Sequence, residues 1–290
     1  MPRRVDRARW KVNVGDPVLT LARTHVPLDR PLPPPIGSEP ENPGSHSWRD
    51  LLGVIETARG CKYVACSRVA ETPETVIFVL VWWDQECLDE FKASPDYTVF
   101  LVSLGMLDIT PVAGGVSGRT IQTIKFDSWE ATRFSLLEGW LALYTVALAH
   151  PVTDAQREVR LQGPRYRRNS IGNVEWHIMM INLPEPRRSQ GVQHGWVQEL
   201  RQIVGEGKKI ETTVQDAFFY TGWPSKEAEE KMKTALPEVE FGWDDELREI
   251  GAIEAKEEHV DLVWIAQGRD HNWNQVIGVT IPKRGIVQHV

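Results

Sequence analysis

The sequence predicts an α+β fold in which two βαββαβ modules join their sheets into one antiparallel barrel within a single chain. One observation is the segment 75–104, where a continuous apolar strand is followed directly by two short helices. A second is the segment 17–26, whose apolar residues recur with the period of a half-buried strand. A third is a local repeat, because strands that end at Trp83 and Trp223 both lead into an acidic helix. This repeat indicates a duplicated module.

The first module is predicted over residues 15–128. Its first helix begins at Ser47, where Asp50 three residues later resembles a capping box, and it ends at Gly60, a residue type that often follows a helix. The order of elements is that of the ferredoxin-like split motif. Strands are predicted at 17–26, 61–69, 75–83 and 118–126, and helices at 47–60, 85–92 and 95–104.

The second module is predicted over residues 135–266, after a boundary near 128–134. Residues 1–14 are interpreted as a flexible basic arm and residues 267–290 as a tail. Strands of the second module are predicted at 139–150, 174–183, 209–223 and 253–266, and helices at 189–204 and 225–236.

Composition and charge narrow the class of protein. The chain has 290 residues, of which 41% are hydrophobic and 25% charged, as in a soluble globular protein with a substantial core. A net charge of -7 argues against a nucleic-acid partner, and no apolar run reaches the length of about 18 residues that a membrane span needs. The three cysteines are interpreted as reduced core thiols, which predicts a cytoplasmic protein.

Several motifs of cofactor and metal chemistry do not occur in the chain. It has no GxxxxGK[ST], no GxGxxG after a strand, no HExxH and no GxSxG. The acidic residues between 227 and 258 are interpreted as a solvated helix face. His259 follows Glu257 and Glu258 in a predicted strand, where neighbouring side chains point to opposite sides, so no metal-ligand spacing is recognised there. The sequence therefore predicts no metal and no cofactor.

The segment 75–101, TVIFVLVWWDQECLDEFKASPDYTVFL, resembles the dimeric α+β barrel superfamily. The likeness is to its antibiotic-biosynthesis-monooxygenase-like and fungal stress-responsive members. It rests on a strand that ends in tryptophan, an acidic helix, and Ser94-Pro95 followed by Tyr97 and Phe100. The resemblance implies ferredoxin-like halves that close an eight-stranded barrel. Single-domain relatives use a second chain for this, whereas two modules here would close the barrel alone; further assembly into a homodimer stays open.

The resemblance also implies a range of activities. Members include cofactor-independent oxygenases, polyketide cyclases and heme enzymes. We expect a cofactor-independent tailoring enzyme of secondary metabolism, a cyclase, isomerase or dehydratase, that acts on an apolar polyketide- or terpenoid-like intermediate in a barrel pocket. The alternatives are a cofactorless oxygenase, a heme enzyme with His150 or His177 as the proximal ligand, and a non-catalytic carrier or stress-related protein.

Candidate site residues are histidines and aromatic residues on predicted strands. A histidine can exchange protons near neutral pH, and one face of the strand 139–150 combines Trp140, Tyr144 and a histidine, as pocket walls do. Core packing or simple exposure is the alternative explanation for each of these residues. The predicted catalytic residues are His25, Tyr144, His150 and His177, and the predicted substrate-binding residues are Tyr63, Trp83, Trp140 and Trp264.

Overall fold

A computed structural model describes residues 17–36, 48–106, 119–126, 139–158, 192–204, 211–223, 225–235 and 251–267. Its eight strands pair antiparallel into a closed barrel, which confirms the α+β class and the barrel. The strands are β1 Val18–His25, β2 Cys61–Arg68, β3 Thr75–Trp82, β4 Thr120–Phe126, β5 Gly139–Ala149, β6 Val192–Val204, β7 Glu211–Trp223 and β8 Ala252–Gln267. The helices are α1 Arg49–Thr57, α2 Gln85–Ala93, α3 Pro95–Ser103, α4 Asp154–Glu158 and α5 Lys226–Ala235.

The strands follow the order β1-β3-β2-β8-β5-β7-β6-β4 around the barrel. The first four strands of the chain therefore lie side by side, and so do the last four. Two pairings join these groups, β2 with β8 and β4 with β6. Because β4 also pairs with β1, the sheet has no free edge among the described strands.

Alternate side chains of every strand point into the barrel and form one buried apolar cluster, the interior core. Each of its members is at most 5% exposed. Where the sequence predicted an apolar pocket, the described interior is thus a packed core. The interior core consists of Leu19, Leu21, Ala65, Val69, Ile77, Val79, Val81, Ile124, Phe126, Leu141, Leu143, Val197, Phe218, Tyr220, Val260 and Leu262.

An ion pair spans the barrel next to the interior core. Arg23 of β1 lies on the same strand face as Leu21, and Glu258 of β8 lies on the same face as Val260. Arg23 donates to Glu258 Oε2 from Nε at 3.2 Å and from Nη2 at 2.9 Å. Burial alone would raise the pKa of Glu258, but Arg23 and Lys256 outweigh it, so the pKa lies below its usual value. The pair joins strands that are not neighbours in the sheet.

Helices α1, α2 and α3 cover the outer face of the first four strands. Asp84 caps α2 by accepting a hydrogen bond from the Cys87 backbone N–H at 2.9 Å, and Pro95 occupies the first turn of α3. Beneath them, Trp82 is fully buried and its Nε1 donates to Thr20 Oγ1 at 3.0 Å. None of the described helices is long and apolar enough to cross a bilayer.

The prediction of an amphipathic helix at 189–204 was wrong. These residues contribute β6, a strand of 13 residues that pairs with β4 and β7. A spacing of four puts Trp196 and Leu200 on one face in a strand as well as in a helix, so the pattern did not discriminate. The predicted strand at 174–183, the boundary near 128–134, the arm at 1–14 and the tail from 268 lie outside the described residues.

Candidate functional site

A group of polar and aromatic side chains meets on the outer face of the barrel, where α5 lies against β5 and β8. We call this group the His259 network. Its members come from β5, from β8, from α5 and from the turn between β2 and β3. They are Glu71, Trp140, Tyr144, Glu229, Glu257 and His259.

The strand register brings four of these residues together. Glu257 and His259 are two positions apart on β8, so both side chains point to the outer face. Tyr144 of β5 lies opposite Glu257, and Trp140 lies on the same strand face as Tyr144. Glu229 reaches the group from α5, where it is 3% exposed. The site is therefore built from positions that are far apart in the sequence.

The imidazole of His259 is surrounded by three carboxylates. Its Nδ1 lies 2.5 Å from Glu71 Oε1, and its Nε2 lies 3.1 Å from Glu229 Oε1 and 3.3 Å from Glu257 Oε1. Its ring stacks on Trp140 with 5.6 Å between centroids and 14° between planes. Hydrogen bonds to Glu229, Glu257 and Glu71 outweigh burial and raise the pKa of His259 to about 10. At neutral pH the ring is therefore an imidazolium.

Two further donors hold the carboxylates. Trp140 Nε1 donates to Glu229 Oε2 at 2.5 Å, and the Tyr144 hydroxyl donates to Glu257 Oε1 at 2.9 Å. Burial, and then the charge of Glu257, raise the pKa of Tyr144 well above its usual value. Tyr144 therefore keeps its proton. The Tyr144 phenol contacts the Glu257 carboxylate, which in turn contacts the His259 imidazolium.

The same groups have the composition of a metal site. Glu229, Glu257 and His259 present ligand atoms that all lie within 4.8 Å of one another. A cation could bind there only if His259 Nε2 lost its proton, which the raised pKa of His259 opposes. The carboxylates that raise this pKa would also attract a cation, so a proton and a metal ion would compete for His259 Nε2. The separation of His259 from the acids in the sequence interpretation was wrong, because residues two apart share a strand face.

Two of the predicted site residues, Tyr144 and Trp140, belong to the His259 network. Tyr63 and Trp264 contact each other at 4.7 Å between ring centroids, and Trp264 packs against the interior core, on the other face of the sheet. Trp83 lies on the outer face of the first four strands, with Lys62 Nζ at 4.8 Å from its ring centroid. The four aromatic residues predicted to bind substrate thus lie in three places.

The predicted histidines lie apart from the network. His25 is exposed at the end of β1, with Nδ1 4.0 Å from Glu74. His150 is exposed just after β5, and its backbone N–H donates to the Thr213 carbonyl at 2.9 Å. His177 lies outside the described residues. The sequence interpretation missed Glu71, Glu229, Glu257 and His259, although the spacing of Glu257 and His259 could have indicated a shared face.

The charge on His259 predicts a loss of stability at alkaline pH. Its folded pKa lies above the unfolded value of about 6.5, so its contribution is complete below pH 6.5 and disappears as the pH rises through about 10. We expect wild type to be about 1–2 kcal/mol more stable than His259→Gln at pH 6, a value reduced because Glu71 and Glu257 are partly exposed. This difference should shrink towards pH 10 in urea unfolding. Parallel pH profiles for the two proteins would contradict the charged network.

No protein-family model matches this chain, and no curated protein matches it. Among solved structures, an anthrone oxidase-like protein superposes with a TM-score of 0.46 and 14% identity, over 86% of this chain and 92% of its own. A provisionally named monooxygenase from Lactobacillus acidophilus NCFM superposes with a TM-score of 0.41 and 11% identity, over 87% of this chain and 97% of its own. At such scores the likeness carries no statement about activity, and the superfamily resemblance stays a prediction.

Proposed function

We propose that this protein is a cofactor-independent tailoring enzyme that moves a proton on an apolar small molecule, in a cyclisation, an isomerisation or a dehydration. The single observation that carries the proposal is the contact chain from the Tyr144 hydroxyl to Glu257 and from Glu257 to His259. A proton donor and a proton acceptor stand side by side there, and a fixed positive charge lies behind them.

Each member of the chain has a role that follows from its protonation state. Glu257, held as a carboxylate by the His259 imidazolium, accepts a proton from a carbon of the substrate. When substrate binds, the Tyr144 hydroxyl, which keeps its proton at neutral pH, turns from Glu257 and donates its hydrogen bond to the substrate oxygen on which negative charge develops. Glu257 then returns the proton at a second carbon or to a departing hydroxyl, so the protein ends unchanged. The indole of Trp140 orients the imidazolium by stacking on it.

The architecture proposed with this function is a duplication of ferredoxin-like modules at 15–128 and 135–266. Its support is the strand order, since β4-β1-β3-β2 and β8-β5-β7-β6 place the successive strands of each half alike. In this arrangement one chain closes the barrel without a second copy. A cytoplasmic location is part of the same proposal, and it is supported by three cysteines that are buried and unbridged.

The test begins with the metabolites that accumulate when the gene is deleted in its source organism. Purified protein is then incubated with each accumulated compound, and product formation is followed by mass spectrometry. We expect Tyr144→Phe and Glu257→Gln each to lower kcat/KM by about 100- to 10,000-fold, because each removes one partner of the proton transfer. Tyr97→Phe, which removes a hydroxyl from helix α3 in the first half of the chain, is the control and should retain activity.

Three results would overturn the proposal. A product whose mass is raised by oxygen, formed with oxygen consumption, would indicate a cofactorless oxygenase. A metabolite that copurifies with the protein but is never converted would indicate a carrier. Activity that survives both substitutions would remove the His259 network from the mechanism.

A further inference from the structure

The indole N–H of Trp223 is a buried donor without an acceptor. Trp223 is 8% exposed, and its Nε1 has no hydrogen-bond partner among the residues that the structure describes. Three other tryptophans show the usual arrangement among the described residues. Trp48 donates to the Pro31 carbonyl at 2.9 Å, Trp82 donates to Thr20, and Trp140 donates to Glu229. Of these four described tryptophans, Trp223 is the one whose indole N–H lacks an acceptor.

An unsatisfied buried donor is costly. A polar group that loses its water without gaining a partner destabilises the folded state, and such groups are rare in folded proteins. An indole N–H can only donate, so only an acceptor can complete it. Phenylalanine would fill much of the same volume without the cost, which makes the retained N–H a candidate ligand contact.

The position of Trp223 connects it with the His259 network. Trp223 is the last residue of β7 and lies directly opposite Trp140 of β5, so the two indoles leave the sheet on the same side. The same register pairs Tyr144 with Phe219 farther along this face. Helix α5, which carries Glu229, begins three residues after Trp223. One face of the sheet therefore carries the unsatisfied donor, the proton donor Tyr144 and aromatic surface.

The charges of the network determine which kind of acceptor can bind to the Trp223 indole N–H. Glu71, Glu229 and Glu257 surround one imidazolium, so the described network has more negative than positive charge. A carboxylate or phosphate ligand would be repelled by this charge. A ketone or quinone carbonyl is a neutral acceptor, and an apolar ring system attached to it would pack on the neighbouring aromatic residues.

We propose that Trp223 Nε1 binds the carbonyl oxygen of a flat, uncharged ketone beside the His259 network. This inference rests on the proposed function for the identity of the ligand as a substrate. The inference adds the chemical class of the substrate, an apolar aryl ketone and not an acid. Trp223 would then be a residue that determines substrate specificity.

The test uses a pair of probes that differ by one carbonyl, 1-tetralone and tetralin. The full chain labelled with nitrogen-15 should give indole signals from its twelve tryptophans, and the signal that Trp223→Phe removes is that of Trp223. We expect 1-tetralone to shift that signal and to bind wild type about 5- to 10-fold more tightly than tetralin, as one neutral hydrogen bond allows. In Trp223→Phe the two probes should bind equally.

A comparison of Tm values distinguishes a tryptophan whose N–H lacks an acceptor from one whose N–H is hydrogen-bonded within the protein. Trp82→Phe removes an indole that is hydrogen-bonded and should lower Tm by about 2–4 °C more than Trp223→Phe, which loses no hydrogen bond. Equal destabilisation by the two substitutions would overturn the inference. The inference would also fail if neither probe bound at millimolar concentration, or if Trp223→Phe kept the preference for 1-tetralone.

The inference and the proposed function can fail separately. If Tyr144→Phe abolishes turnover while Trp223→Phe binds 1-tetralone like wild type, the carbonyl contact is wrong and the proton-transfer function stands. If 1-tetralone binds through Trp223 and Tyr144→Phe leaves the rate unchanged, the contact stands and the proposed function is wrong.

Discussion

Replacing Arg23 with methionine is expected to lower the free energy of unfolding by about 3–5 kcal/mol, the usual cost of leaving a buried charge without its partner. The side chains of Arg23 and Glu258 are only 10% and 4% exposed. Methionine keeps much of the volume but none of the hydrogen bonds, so Glu258 would have to stay charged or take up a proton inside the barrel. Lys256 Nζ approaches Glu258 at 2.7 Å from the exposed side, which places the expected loss at the lower end of the range.

Urea unfolding at pH 7 measures this loss of free energy, and two further variants serve as controls. Arg59→Met breaks an exposed ion pair with Glu90 and should cost far less than Arg23→Met, because solvent screens the pair. The double variant Arg23→Met with Glu258→Met should recover most of the loss, because it removes both charges together. A loss in Arg23→Met no larger than that in Arg59→Met would show that the pair across the barrel is not energetically important.

Substitution of Gly60 by alanine is expected to destabilise the first half of the chain by about 3 kcal/mol or more. Gly60 has a φ of +73°, and a Cβ built on it would lie 2.3 Å from Cys87 Sγ and 2.5 Å from Cys87 Cβ. The clash is with the start of α2, next to the point where the Gly60 carbonyl accepts a hydrogen bond from the Trp83 N–H at 2.9 Å. Strand β2 and helix α2 would therefore have to separate.

Gly105→Ala is the matched control for Gly60→Ala. Gly105 has a similar φ of +66°, but the nearest atom to its added Cβ is an arginine side-chain nitrogen 3.9 Å away. It should therefore show only the backbone strain, about 1–2 kcal/mol. The difference between the two variants in thermal or urea unfolding isolates the contact with Cys87. Equal losses would mean that α2 moves aside without cost.

Local patterns predicted the first half of the fold well. Helices α2 and α3 were both predicted, α3 from Ser94 and Pro95 at its start and from apolar residues at helical spacing, and Phe100 is buried as that spacing requires. These signals act within one or two turns of chain, so they survive in a single sequence. For β6 the same reasoning failed, since a spacing of four suits both a helix and a strand.

The candidate site shows why local patterns are not sufficient. Tyr144 and Trp140 were selected because one strand face combined aromatic and polar residues, and both belong to the His259 network. Their partners could not be inferred in this way, because Glu71 is 188 positions from His259 and Glu229 is 30 positions from it. Only the pairing of β2 with β8 brings the turn that carries Glu71 to this face.

The amino-acid sequence by itself determined the α+β class, the closed barrel and the places where most strands and helices lie. Alternation, capping and turn residues specify these features within a few positions. The tertiary structure alone decided that Tyr144 faces α5 rather than the interior, that Arg23 meets Glu258 across the barrel, and that three carboxylates surround His259. These contacts depend on strand order and register around a closed sheet, where a shift of one residue would turn every side chain to the opposite face.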